Sequence, residues 1–196
     1  MLNIVNVGYD STNYYVIETA ATRLLVDVGF PGTLPKLSHA LKRTGIALTS
    51  IAYLLVTHYH PDHAGLAQEL KQQGLKLIVL EHQIAAIPQL KRHMKPQYRY
   101  QEITLDDNRT ISLTQSRSFL RGIGIEGEVI ATPGHSDDSV TLVLDAGLAF
   151  VGDLPPPWMA TDEPLQQSWA AIRAHNVRTV YPGHGPVYQL TDQGRG

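Results

Sequence analysis

Apolar and polar residues alternate from Leu2 to Val7, a period of two that predicts a half-buried strand. Turn chemistry follows at Gly8-Tyr9-Asp10-Ser11. Runs rich in Val, Ile and Tyr then predict strands over Asn13–Thr19 and Arg23–Val28. Leu34, Leu37 and Leu41 recur at helical spacing over 34–44, and Gly45 ends the pattern. Ile51 to Val56 is a short apolar run, as expected of a buried strand. Leu66, Ala67 and Leu70 mark one face of a helix over 64–73, and Leu75 to Leu80 returns as a strand. Residues 51–80 therefore predict a strand–helix–strand unit with parallel strands and a right-handed crossover.

Beyond Leu80 the pattern weakens. A short helix is expected over 81–90, no element is assigned to the basic and aromatic stretch 91–100, and 103–115 suggests two short strands around Asp106-Asp107-Asn108. Arg117 to Gly124 looks like an irregular loop. Strands are expected again over 128–131, 140–144 and 148–151. A helix over 165–175, with Leu165, Trp169 and Ile172 on one side, and a strand over 178–181 follow. This alternation suits an α/β domain, a mixed sheet or pair of sheets covered by helices. With no linker or repeat in view, residues 1–196 are expected to form a single domain.

Composition narrows the classes. The chain has 196 residues, 43% hydrophobic and 17% charged, which describes a globular protein with room for a core. A formal net charge of -2 argues against a nucleic-acid or anionic-membrane surface. There is no cysteine, so neither a thiolate nucleophile nor a thiolate metal ligand is available. No signal-peptide pattern opens the sequence, and a cytoplasmic location is expected.

The chemistry concentrates in Thr57-His58-Tyr59-His60-Pro61-Asp62-His63-Ala64-Gly65, which follows one expected strand. A His-x-His-x-Asp-His cluster has no ordinary packing role, because its rings would repel when protonated. Three more candidates each follow a strand and a glycine: His135 in Thr-Pro-Gly-His, Asp153 in Val-Gly-Asp and His184 in Tyr-Pro-Gly-His. Asp27 also ends a strand. Five His and two Asp suffice for two divalent cations sharing a carboxylate. Imidazole and carboxylate suit zinc, iron or manganese better than calcium or magnesium. His39, His82 and His175 lack ligand-like surroundings, and His93 alone of the remaining four could line a pocket.

These residues resemble the metallo-β-lactamase superfamily, whose landmarks they match in order from about Asn13 to His184. The resemblance implies an αβ/βα four-layer sandwich, two packed mixed β-sheets flanked by helices, with a dinuclear site at one edge. It implies a first metal on His58, His60 and His135, and a second on Asp62, His63 and His184. Asp153 would bridge them, and Asp27 would orient the His loop without touching metal. Zinc is the expected ion, with iron or manganese as alternatives.

The function implied is hydrolysis of a small thioester, ester or lactone, similar to glyoxalase II, through a hydroxide shared by two metals, with Asp62 orienting it and handling its proton. An acyl-homoserine lactone lactonase, a mononuclear iron persulfide dioxygenase and a β-lactam hydrolase are the alternatives. The filled ligand set favours hydrolysis over the dioxygenase. Trp158, Met159, Tyr98 and Phe119, with Tyr100 and Leu120, are the candidates for the substrate pocket. The expected partner is a small-molecule substrate, with no nucleic acid or membrane, in a monomer or homodimer.

Overall fold

The computed structural model describes residues 2–190. Strands β1 (Asn3–Asn6), β2 (Tyr15–Glu18), β3 (Arg23–Val26), β4 (Tyr53–Leu55), β5 (Lys76–Leu80) and β6 (Arg109–Ile111) form one sheet in that order. The first three are antiparallel, and β3 to β6 run parallel. The expected parallel unit over 51–80 is therefore present. The second sheet holds β7 (Gly127–Ala131), β8 (Val140–Leu144), β9 (Leu148–Gly152), β10 (Thr179–Pro182) and β11 (Tyr188–Gln189), in the order β11-β10-β9-β8-β7. Its β9 and β10 are parallel and its other pairs antiparallel.

The two-residue period of each strand sorts its side chains between layers. Leu25, Leu54, Leu77 and Val79 pack on one face of the first sheet with Leu37 and Leu41 of α1 (Leu34–Arg43), and with Ala67 and Leu70 of α3 (Ala67–Gln72). Their neighbours Leu24, Val26, Leu55, Ile78 and Leu80 point the other way and meet Val140, Leu142, Leu144 and Phe150 of the second sheet. On the far face, Val143, Ala149 and Val151 pack against Leu165, Trp169 and Ile172 of α5 (Glu163–Ala174). The result is the expected sandwich of two mixed sheets flanked by helices.

Several local expectations change. The helix expected over 64–73 is two pieces, α2 (Pro61–Ala64) and α3, separated at Gly65–Leu66. Residues 81–93 form short 3-10 segments, with Pro88 in the second. The irregular loop expected over 117–124, and the strand expected to reach Gln115, are instead α4 (Leu113–Gly122). Ser112 and Gln115 close a reciprocal capping box at its start, which satisfies two otherwise orphaned N–H groups. Ser116 then faces inward, accepts from Val129 N–H at 3.0 Å, and seats the helix on β7. The short β11 falls where no strand was expected.

This topology brings one end of both sheets together. Asp27 follows β3, His58 follows β4, Asp153 follows β9 and His184 follows β10, all at the carboxyl ends of parallel strands. Open α/β sheets place ligand sites at such ends. Leu142 lies fully buried between the sheets. Leu142→Ala is expected to lower unfolding free energy by about 2–5 kcal/mol in denaturant titration. A loss within 1 kcal/mol would mean that the sheets do not meet on this residue.

Candidate metal centre

Asp27 organises the site. Its backbone is left-handed at φ 61, a region Asp tolerates better than most residues. That turn sends a carboxylate, 3% exposed, into the interior. Oδ1 accepts from Thr57 N–H at 2.7 Å, and Oδ2 accepts from Thr57 Oγ1–H at 2.8 Å. Oδ2 also lies 2.9 Å from His63 Nδ1. An Nδ1–H bond to Asp27 fixes the tautomer that leaves Nε2 free to bind a cation.

Glycine permits the close approach of the second sheet. A Cβ on Gly152 would stand 2.3 Å from Thr57 Oγ1, and one on Gly183 would stand 2.6 Å from both Asp153 Oδ1 and His63 Cε1. No side chain fits either position without pushing the ligand loops apart.

Two groups of potential ligands result: His58, His60 and His135 in one, and Asp62, His63, Asp153 and His184 in the other. Within each group the donor atoms lie within 4.8 Å of one another. His60 Nδ1 and His135 Nε2 are 3.0 Å apart, and His63 Nε2 and Asp153 Oδ1 are 3.1 Å apart. His184 Nε2 stands 3.3 Å from Asp62 Oδ2. Donors around a tetrahedral zinc, each ~2.0–2.1 Å from the ion, sit roughly 3.4 Å from one another. Asp153 faces both groups, because its Oδ2 lies 3.5 Å from His184 Nε2 and 3.7 Å from His135 Nε2.

The chemistry of these atoms fits a divalent cation. His58 Nε2 is buried without a hydrogen-bond partner, and His63 Nε2 and Asp153 Oδ1 are buried with only each other, 3.1 Å apart. Such an orphan costs about 1–3 kcal/mol unless something coordinates it. Burial, reinforced by the neighbouring imidazoles, holds His58 well below its usual range, so it stays neutral and can donate a lone pair. Burial and the His135 and His93 rings lower His60 as well. Burial alone would also lower His63, but the Asp27 and Asp153 carboxylates overcome it and push its pKa up to about 10. Burial would raise the Asp153 carboxyl, yet His63, His184 and His135 together keep it below the usual carboxylate range. The negative field that draws a proton onto His63 would equally draw a divalent cation. With nitrogen and oxygen donors only, zinc, iron and manganese suit this set.

The pocket candidates divide. Trp158 lines a cleft with His135, Asp153 and His184. Met159 is exposed beside it. Tyr98 packs on Phe30, their ring centroids 5.5 Å apart. Tyr100 lines a separate cavity with Ile84, Ile87 and Ile103. Phe119 and Leu120 do not reach the cluster. They belong to α4, where Phe119 packs edge-on against Tyr53 and Leu120 is buried in the core between the sheets. Tyr53 begins β4, whereas His58 follows its other end, so the sandwich separates Phe119 from the donor atoms.

Other supporting residues have no sequence signal. His184 Nδ1 lies 2.6 Å from Ser11 O, a distance an Nδ1–H bond would span. Asn13 Nδ2 donates to Pro182 O at 3.0 Å and to Gly185 O at 2.8 Å, and Tyr15 O–H donates to Pro182 O at 2.9 Å. The turn between β1 and β2 thereby holds the His184 turn. Asp138 Oδ2 accepts from Tyr59 N–H at 2.8 Å. The buried Gln83 amide donates to Thr57 O at 3.2 Å and Asp138 O at 3.0 Å, joining the two loops that carry the first ligand group. His93, set aside as a bare pocket candidate, has its ring 5.4 Å from that of His60.

Asp27→Asn leaves every ligand in place but removes a charge and an acceptor for His63. It is expected to weaken zinc binding about 10–100-fold in chelator competition while far-ultraviolet dichroism stays unchanged. Affinity within twofold of the parent would mean that Asp27 only shapes the turn.

Residues 7–184 match the metallo-beta-lactamase superfamily. A beta-lactamase-like protein 2 homolog of Caenorhabditis elegans is 30% identical over 185 residues, covering 90% of this chain and 56% of that protein. An atrochrysone carboxyl ACP thioesterase of a Cryptosporiopsis species is 27% identical over 90% of this chain and 49% of its own length. The chain thus spans about half the length of these curated relatives. It covers 93% of a probable metallo-hydrolase of Methanocaldococcus jannaschii, at 24% identity over 95% of this chain. A metallo-beta-lactamase family protein of Thermus thermophilus superposes with TM-score 0.72 over 96% of this chain and 74% of its own, at 19% identity. The matched span holds all seven candidate ligands, and the chain belongs to the metallo-β-lactamase superfamily.

Proposed function

We propose that the protein is a metal-dependent hydrolase that cleaves a small thioester, ester or lactone. The observation that carries this reading is Asp153, whose two oxygens face two adjoining ligand groups with every position filled. Relatives named as thioesterases, 27% and 28% identical over 90% and 89% of this chain, support acyl hydrolysis as the class.

His58, His60 and His135 would hold one cation, Asp62, His63 and His184 the other, and Asp153 both. When bound, such a pair lowers the pKa of a shared water towards neutrality and polarises the substrate carbonyl. The chain's own residues supply position and proton handling. Asp62 is partly exposed, 22% at its side chain, so it lies between the buried ligands and solvent. Thr12 Oγ1–H reaches its Oδ2 at 3.4 Å and steadies the carboxylate. From there Oδ2 can orient a water and hold a proton on its way to the departing group. His63, held by Asp27, keeps its Nε2 directed at the ligand cluster. No cysteine exists to form an acyl-enzyme, and the arrangement needs none.

Purified protein is expected to carry two divalent ions per chain by elemental analysis and to turn over thioesters or lactones in a panel that includes β-lactams and phosphodiesters. A single iron per chain with oxygen uptake on a persulfide would overturn the reading. In metal-replete protein, Asp62→Asn is expected to lower kcat roughly 10²–10⁴-fold, with KM changed far less. Unchanged turnover in that variant would remove Asp62 from the mechanism.

A further inference from the structure

Beside the donor cluster is a cleft of ≈ 370 Å³ lined by Leu154, Pro155, Pro156, Trp158, Pro186 and Tyr188. His135, Asp153 and His184 form its polar end, so the cleft opens directly onto the candidate ligands. No Lys or Arg is among its lining residues in the described part of the chain. His93, whose ring lies 5.4 Å from that of His60, belongs to an exposed stretch that also carries Arg92, Lys95 and Arg99, and Lys91, which pairs with Glu102.

The apolar wall is built to stay in place. Pro155, Pro156 and Pro157 fix successive φ angles. Trp169, on the buried face of α5, donates its indole N–H to Pro155 O at 2.8 Å and pins the run. The Trp158 ring meets Tyr188 edge-on at 5.2 Å, yet Trp158 remains 70% exposed. A large aromatic held out to solvent beside charged ligands leaves apolar surface uncovered, which an apolar ligand would cover.

We propose that this cleft is the acyl subsite: it takes an uncharged, apolar acyl group, with Trp158 the residue that sets its size. The assignment rests on the hydrolase reading above. Two observations give the orientation. The described lining of the cleft carries no Lys or Arg to meet a charged acyl group, whereas the basic stretch around His93 suits a polar or anionic leaving group. The pinned prolines keep the apolar wall in shape before substrate arrives, which lowers the ordering cost of binding.

The test compares p-nitrophenyl esters from acetyl to decanoyl on the metal-loaded protein, with the leaving group constant. Expected is a rise in kcat/KM of up to about fourfold per added methylene until the cleft is full, carried mainly by KM. Trp158→Ala should flatten that slope, and Trp158→Phe should restore most of it. A flat slope in the parent, or an unchanged slope in Trp158→Ala, would overturn the subsite.

Binding of octanamide, uncharged and without an ester bond, gives a readout independent of turnover. It should shift Trp158 emission to the blue, and Trp158→Ala, which keeps only the buried Trp169, should show no shift. Octanamide binding without turnover of any ester would sink the hydrolase reading and leave the cleft an apolar-ligand site. A parent dimer that Trp158→Ala converts to monomer, with no octanamide binding in either, would make the cleft an interface between copies and overturn the proposal.

Discussion

One buried carboxylate sets the geometry on which the rest of the site depends. Asp27 comes from the end of β3, binds the backbone and hydroxyl of Thr57 after β4, and aligns with His63 on α2. A charge so far from water is tolerable only when its acceptor sites are used, and here three close contacts use them. The cost of a left-handed backbone at a non-glycine residue is accepted at this buried turn, which aims the carboxylate at all three partners. Thr57 in turn defines how closely the second sheet can come, since its hydroxyl occupies the space that any side chain at position 152 would need.

From this constraint the division of labour follows. The first sheet contributes His58, His60, Asp62 and His63 from one loop and short helix. The second contributes His135, Asp153 and His184 from three separate turns. The ligands are thus unequal in burial. His58 and His63 are nearly inaccessible, while His135 and His184 are 28% and 41% exposed at their side chains. The buried His58 and His63 supply lone pairs, the Asp27 and Asp153 carboxylates supply the field that favours a cation, and the exposed members border the surface from which a substrate would arrive. The apolar cleft begins on that exposed side, with His135, Asp153 and His184 at its polar end. Pocket residues beyond Asp153 can change without disturbing Asp27 or Thr57.

Much of this could be read before the structure. The dense run His58–His63 is self-announcing, because no packing role explains four potential ligands in six positions. His135, Asp153 and His184 were legible only through their strand–glycine setting; Gly134 and Gly152 take the positive φ a tight turn asks of glycine, and Gly152 and Gly183 also leave room for the facing ligand loops. Segment 113–122 misled because its strongest signal is the Ser112–Gln115 box rather than a long apolar stripe, and its polar residues resemble a loop. Phe119 looked like a pocket aromatic for the same reason: an aromatic in a supposed loop has no assigned partner, whereas on α4 it has Tyr53. Asn13, Tyr15 and Ser11 could not have been found at all. Their partners lie about 170 positions away, and only the closed sandwich brings them together.

That the ligands are drawn from both sheets has a consequence for the fold itself. A cation held by His63 and Asp62 on one side and by Asp153 and His184 on the other would be a cross-link between the halves of the sandwich. Anything that binds the folded chain and not the unfolded one stabilises it by about 2.7 kcal/mol at a hundredfold excess over its dissociation constant. The stability of the folded chain would then follow metal supply together with its chemistry.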